Sequence, residues 1–221
     1  MKFPNALKGI KIIHMAELVT LLLTVSSLGL LILEQLMENE TVIEVLSWVI
    51  LVLGLLALAL ELAGILIAGK DERLFRTASY GLILTLVLSF AVLFFREGEV
   101  LRTVVELFCI IPTIYCSTTV IKGITRLAEK LDDKVLLARK PFLIRAVVLL
   151  SLGAMGLEFV TAFLLHGEEY ETLHAILHTM ILTMELVEVS IFLGCTSQAE
   201  KMLHHAASPH ENAPAEPEPI S

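Results

Sequence analysis

Five glutamates, Glu17, Glu61, Glu158, Glu185 and Glu188, stand inside otherwise apolar stretches of the chain, and the last stretch also carries His178. An ionised side chain at the centre of a bilayer costs at least about 3 kcal/mol on insertion scales. No Lys or Arg occupies the middle of any of these stretches, and Arg76 and Arg145 sit near their ends, where they can snorkel to water. The acids therefore need a bound proton, a bound cation, a water-filled cavity or a base from another chain. The plain structural alternative is a protonated Glu that hydrogen-bonds a neighbouring helix and braces the bundle, worth about 0.6–2 kcal/mol. For a single acid, bracing accounts for the residue as well as function does. For the set, a shared interior pathway is the better account.

Spacing sharpens the reading on the last stretch. His174 and His178 are four apart, and Glu185 follows seven after His178, so these three share a helical face, with Glu188 adjoining it. Together with Glu158 and the pair Glu17/Glu61 they form a ladder suited to relaying a proton or cation. His174 and His178, one turn apart, also have the spacing of a transition-metal pair, although two interfacial histidines meeting water need no metal. Pairing His178 with Glu158 as an intramembrane acid and base is a weaker option, because no nucleophile accompanies them.

These residues are carried by a chain of 221 residues, 56% hydrophobic and 18% charged, with a mean hydropathy of +0.82. That composition leaves too little polar surface for a soluble domain. The apolar residues fall in runs near the roughly 20 residues that cross a bilayer: residues 12–33, 42–68, 78–95, 100–121, 142–165 and 173–195. The first run follows Lys2, Lys8 and Lys11 but is too long for a signal-peptide core, and no small-residue cleavage site follows it. The expectation is an all-α, polytopic bundle of six transmembrane helices over residues 1–203, with a disordered tail, 204–221, rich in proline.

Basic residues orient the bundle. The N-terminus, the loop Gly69–Thr77, the segment Lys122–Arg145 and the C-terminal stretch after residue 195 hold 14 of the 16 Lys and Arg residues, leaving Arg96 and Arg102 on the other side. This positive-inside pattern places both termini in the cytoplasm of a cell membrane. Taken from the ends of the runs, Glu17, Glu61 and Glu188 lie roughly 8–10 Å below the inner surface, Glu185 near the midplane, and Glu158 and His178 in the outer half. Glu44 and Glu106 fall close to the outer interface.

A threefold repeat is also visible. KGIKIIHMA from Lys8 aligns with KDERLFRTA from Lys70 and RKPFLIRAV from Arg139, and at the same offsets of 62 and 69 TVIEVL aligns with TVVELF and TLHAIL. The reading is three two-helix hairpins around a central pathway; the alternative is convergence, since every inward anchor needs a base. Pro112 predicts a kink with a freed carbonyl for Thr113 or Ser117 to satisfy. KGITRLAEKLDDKVLLARK is read as extending the fourth helix in an amphipathic stem before Pro141, which is placed at the first turn of the fifth helix. Ala59/Ala63, Gly64/Ala68 and LGAMG in the fifth run predict close helix contacts.

Cys109 and Cys116, seven apart on one helix, are about 10 Å apart, too far for a disulfide. There is no Walker A, GxSxG or HExxH motif, and no basic face suited to nucleic acid. No cofactor is assigned and no enzymatic activity is expected. Two functions follow: proton- or cation-linked transport or sensing through Glu17, Glu61, Glu158, Glu185, Glu188 and His178, or a non-catalytic membrane subunit or scaffold that pairs with a membrane or cytoplasmic partner.

Overall fold

In a computed structural model, residues 3–36, 40–92, 94–95, 100–163 and 170–207 are described. Among them the chain forms six helices: α1 Pro4–Leu36, α2 Glu40–Ala68, α3 Arg73–Val92, α4 Val100–Leu131, α5 Lys134–Phe163 and α6 Glu171–Ala207. Each is long and apolar enough to cross a membrane. Successive helices pack on one another and α6 closes against α1, so the bundle is a ring, with the heaviest pairing inside α1/α2, α3/α4 and α5/α6. The outside carries large exposed apolar side chains such as Leu22, Trp48, Val52, Val87, Phe108 and Leu149, the surface a multi-pass membrane protein presents to lipid.

The helices extend past the apolar runs at the end where α1 begins and α6 finishes, here called the base. α1 starts at Pro4 rather than residue 12, α3 at Arg73 rather than 78, and α6 runs to Ala207 rather than 195. Basic and polar residues, which close an apolar run, are good helix formers when water receives them. The expected tail therefore begins in helix, since His204 and His205 belong to α6; residues 208–221 lie outside the described residues.

The helical stem expected within Lys122–Arg145 is present but stops well before Pro141. α4 continues to Leu131, and Asp132 takes a left-handed φ of 57°. Asp133 N–H donates to Ala128 O at 3.0 Å and Asp132 N–H to Glu129 O at 3.4 Å, which is a Schellman end. Asp133 then starts the next helix: its Oδ1 accepts the N–H groups of Val135 and Leu136 at 3.0 and 3.1 Å. Pro141 consequently falls inside α5, not in its first turn. The Asp133 cap, a stronger start signal than the proline, fixes the helix seven residues earlier.

The base is close-packed. Ile10, Ile13, Ile65, Phe75, Ile121, Ile124, Leu127 and Leu203 are fully enclosed in one apolar cluster. α1 and α2 meet there backbone to backbone: a Cβ on Gly9 would fall 2.5 Å from Ala68 N and Gly64 O, and one on Gly64 would fall 2.8 Å from Gly9 O. Small residues permit such an approach. The expected contact at Gly64/Ala68 is thus present, whereas Ala59 and Ala63 are exposed. In LGAMG, Gly153 meets Met184 while nothing lies near Gly156.

Polar groups of the base are tied together. Asp71 reaches across to the start of α1, accepting Ala6 N–H and Asn5 Nδ2 at 2.8 Å each, so a carboxylate satisfies a helix N-terminus. Glu72, only 6% exposed, pairs with Lys130 at 2.6 Å, and the same ammonium stands 5.4 Å from the centre of the Phe3 ring. Lys11 pairs with Glu200 at 3.7 Å, and His14 shares a hydrogen bond with Thr196 at 3.0 Å.

Candidate functional site: a carboxylate-lined cavity

Above the basal cluster the six helices part around a cavity of about 340 Å³, within the lower range of small-molecule pockets. Each helix supplies its lining from one face. On α1 the residues are Glu17, Thr20 and Thr24; on α5, Ser151, Ala154 and Glu158; on α6, Glu185, Glu188, Val189 and Phe192. The steps of three, four and seven are those of a single helical stripe. α4 adds Cys109, Thr113, Cys116 and Ser117 at the same periodicity, α2 adds Leu58 and Glu61, and α3 adds Leu82 and Thr85.

All five expected glutamates therefore line the cavity. They lie close enough to act on one another electrostatically in sequence: Glu61 with Glu17, Glu17 with Glu188, Glu188 with Glu185, and Glu185 with Glu158. Glu158 in turn is within reach of Glu106, whose carboxylate meets Arg102 at 2.9 Å one turn away on α4. Among the described residues, no Lys, Arg or His lines the cavity.

The acids differ in their partners. Glu188 Oε2 accepts the Ser151 hydroxyl at 2.8 Å, and that hydroxyl also lies 2.9 Å from Val147 O. Glu61 Oε1 faces the Cys116 thiol at 3.9 Å, a long and weak contact. Glu17 is 9% exposed and has no hydrogen bond or ion pair among the described residues.

One turn towards the base from these acids, the side chains are apolar and closed: Ile13 below Glu17, Ile65 below Glu61 and Val147 below Ser151. The basal cluster is the cavity floor.

The expected histidines stand apart. His178 is exposed and outside the lining, and His174, also exposed, touches Thr161 O at 3.2 Å through Nε2. The shared face of His178 and Glu185 is real as a direction along α6. Two turns beyond Glu185, however, Thr172–Met180 is largely exposed and carries that face out of the enclosed region. Among the described residues, no three His, Cys, Asp or Glu side chains are grouped to hold a metal.

Pro112 sits within a continuous α4. Thr113 donates to Cys109 O at 2.9 Å, the carbonyl next to the one the proline frees, and its hydroxyl meets Thr85 Oγ1 at 3.3 Å across to α3. α3 comes close here too, since a Cβ on Gly81 would be 2.9 Å from Pro112 O. The lining hydroxyls Thr20, Thr24, Thr85 and Ser151 were not singled out from sequence. For Thr20, Thr24 and Ser151 the signal was present in their spacing of three or seven residues from Glu17 and Glu158; Thr85, on α3, had no glutamate on its helix to mark it.

Comparison with protein-family models, with curated proteins and with solved structures finds no match, so the site is read from its own chemistry.

Proposed function

We propose that this chain is a small multi-pass membrane protein that carries or senses a proton or another cation through Glu17, Glu61, Glu158, Glu185 and Glu188. One observation carries the reading: carboxylates from four helices turn into a common cavity whose described lining contains no base. Bracing alone would tie each acid to its own hydroxyl, and among the described residues only Glu188 has that arrangement. Lipid-facing acids would carry the full insertion cost with nothing in return.

The orientation follows the charge bias of 14 bases against two, which puts the base and both termini in the cytoplasm. The threefold repeat gains support from the lining itself. Thr20, Leu82 and Ser151 are related by the offsets 62 and 69 taken from the sequence, and all three border the cavity. On the repeat reading, these are equivalent positions of three hairpins around one centre.

The test is flux in liposomes holding purified protein and a pH-sensitive dye, with and without an imposed cation gradient. Replacement of the five acids by Gln, singly and together, is expected to abolish or greatly slow the signal. Unchanged flux across the whole set would end the proposal.

A second reading, a membrane subunit that docks a cytoplasmic protein, draws on the exposed bases Lys122, Arg126, Lys134 and Arg139 around the α4–α5 joint. It predicts a stoichiometric partner on mild-detergent purification.

A further inference from the structure

We infer that the deep end of the cavity takes a small organic cation, a protonated amine with an apolar portion, and that Glu17 is its counter-charge. The inference deepens the cation reading above and rests on it.

The first argument is the state of Glu17. Its side chain is about nine-tenths buried yet has no hydrogen bond or ion pair among the described residues. No fully enclosed side-chain oxygen or nitrogen there lacks a partner. An unpartnered carboxylate must then touch open space, and the space Glu17 borders is the cavity. Glu72, buried to a similar degree, shows what the chain does when it means to satisfy an acid internally: Lys130 sits 2.6 Å away. At Glu17 the partner has to come from outside.

The second argument is size and texture. A proton would neutralise Glu17 without using the cavity beside it, whose volume of about 340 Å³ has room for an organic body. A transition metal needs several converging His, Cys or carboxylate ligands, and no group of three such side chains is found among the described residues. Beside the acids and the lining hydroxyls the walls carry apolar side chains, Leu58, Leu82, Ile110, Val189 and Phe192. Carboxylate at one point and hydrocarbon around it match an ammonium head on an alkyl or aryl body, with Thr20 one turn from Glu17 as a further acceptor. An anion is rejected by the same lining.

Full-length protein in detergent would be titrated with n-butylammonium, with n-butanol as the neutral counterpart and with sodium chloride, following heat of binding and thermal unfolding. The expected result is saturable binding of n-butylammonium that neither control reproduces. Glu17→Gln is expected to weaken it at least tenfold while leaving a monodisperse protein, and Glu17→Asp to restore part of it. Wild-type protein that binds n-butylammonium no better than n-butanol would overturn the inference, as would Glu17→Gln protein with undiminished affinity. Liposome flux separates the two claims. Acid-dependent proton flux without n-butylammonium binding removes this inference alone, whereas binding without any flux removes the transport reading and leaves the site.

Discussion

Glu72 and Glu17 are the same residue type at nearly the same burial, 6% and 9% exposed, and the bundle treats them in opposite ways. Glu72 lies at the base, beside a lysine, under a turn whose neighbour Asp71 caps another helix. Glu17 lies above the floor, among like charges, with no cation among the residues lining its cavity. The two regions follow different rules. At the base, polar groups are paired and glycine lets backbones touch, so the structure is closed and specific. Around the cavity, hydroxyls, two thiols and carboxylates face a shared space, and the chain gives up internal satisfaction. A buried charge left without its partner is costly, and the cation proposed above would supply at the cavity what Lys130 supplies at the base.

The comparison is most severely tested by prying open the base. Gly64→Leu drives a side chain into Gly9 and Ile13, and is expected to cost about 3 kcal/mol or more. Size-exclusion profiles and thermal unfolding in detergent check this, and an unaltered protein would show that the helices are not in backbone contact. Next in size is Lys130→Met, which leaves Glu72 buried without its base. Because the ammonium is partly exposed, the expected loss is about 2 kcal/mol rather than the full value for a deep pair. Glu72→Gln in the Lys130→Met background should recover part of it, and failure to recover would mean that the pair is idle.

The smallest effect has the opposite sign. Glu17→Gln is expected to raise stability by up to about 1 kcal/mol, since it removes an acid whose burial is uncompensated. A lower melting temperature in that variant would mean that Glu17 is a brace. Stabilisation together with loss of function is the pattern of a site held in an unfavourable state for its ligand.

Much of this contrast was legible in the sequence. Apolar runs gave the six spans, and glutamates within them gave the cavity's acids, because hydrocarbon tolerates so few charges that each one stands out. What escaped notice was quieter. Thr20, Thr24, Thr85 and Ser151 are cheap in a helix interior, since a hydroxyl can bond the carbonyl a turn back, as Thr20 does to Ala16 O at 3.1 Å; they raise no alarm alone. His178 misled for a geometric reason: helical phase says which way a side chain points and not whether neighbours still surround it. At the base the helices overrun the apolar runs, as α1, α3 and α6 do, because hydropathy falls before helicity does. The α4–α5 joint was legible in Asp132 and Asp133 as capping chemistry, but the apolar pattern drew attention to Pro141 instead.

That joint has a mechanical consequence. Asp132 ends one helix and Asp133 begins the next, so two long rods are coupled with no slack between them. A push on either rod is passed to the other and not absorbed in a linker. If the pocket changes shape as cargo enters, the compliance must come from within the rods, and Pro112, where the ladder of backbone bonds is already broken beside the lining, is where α4 yields.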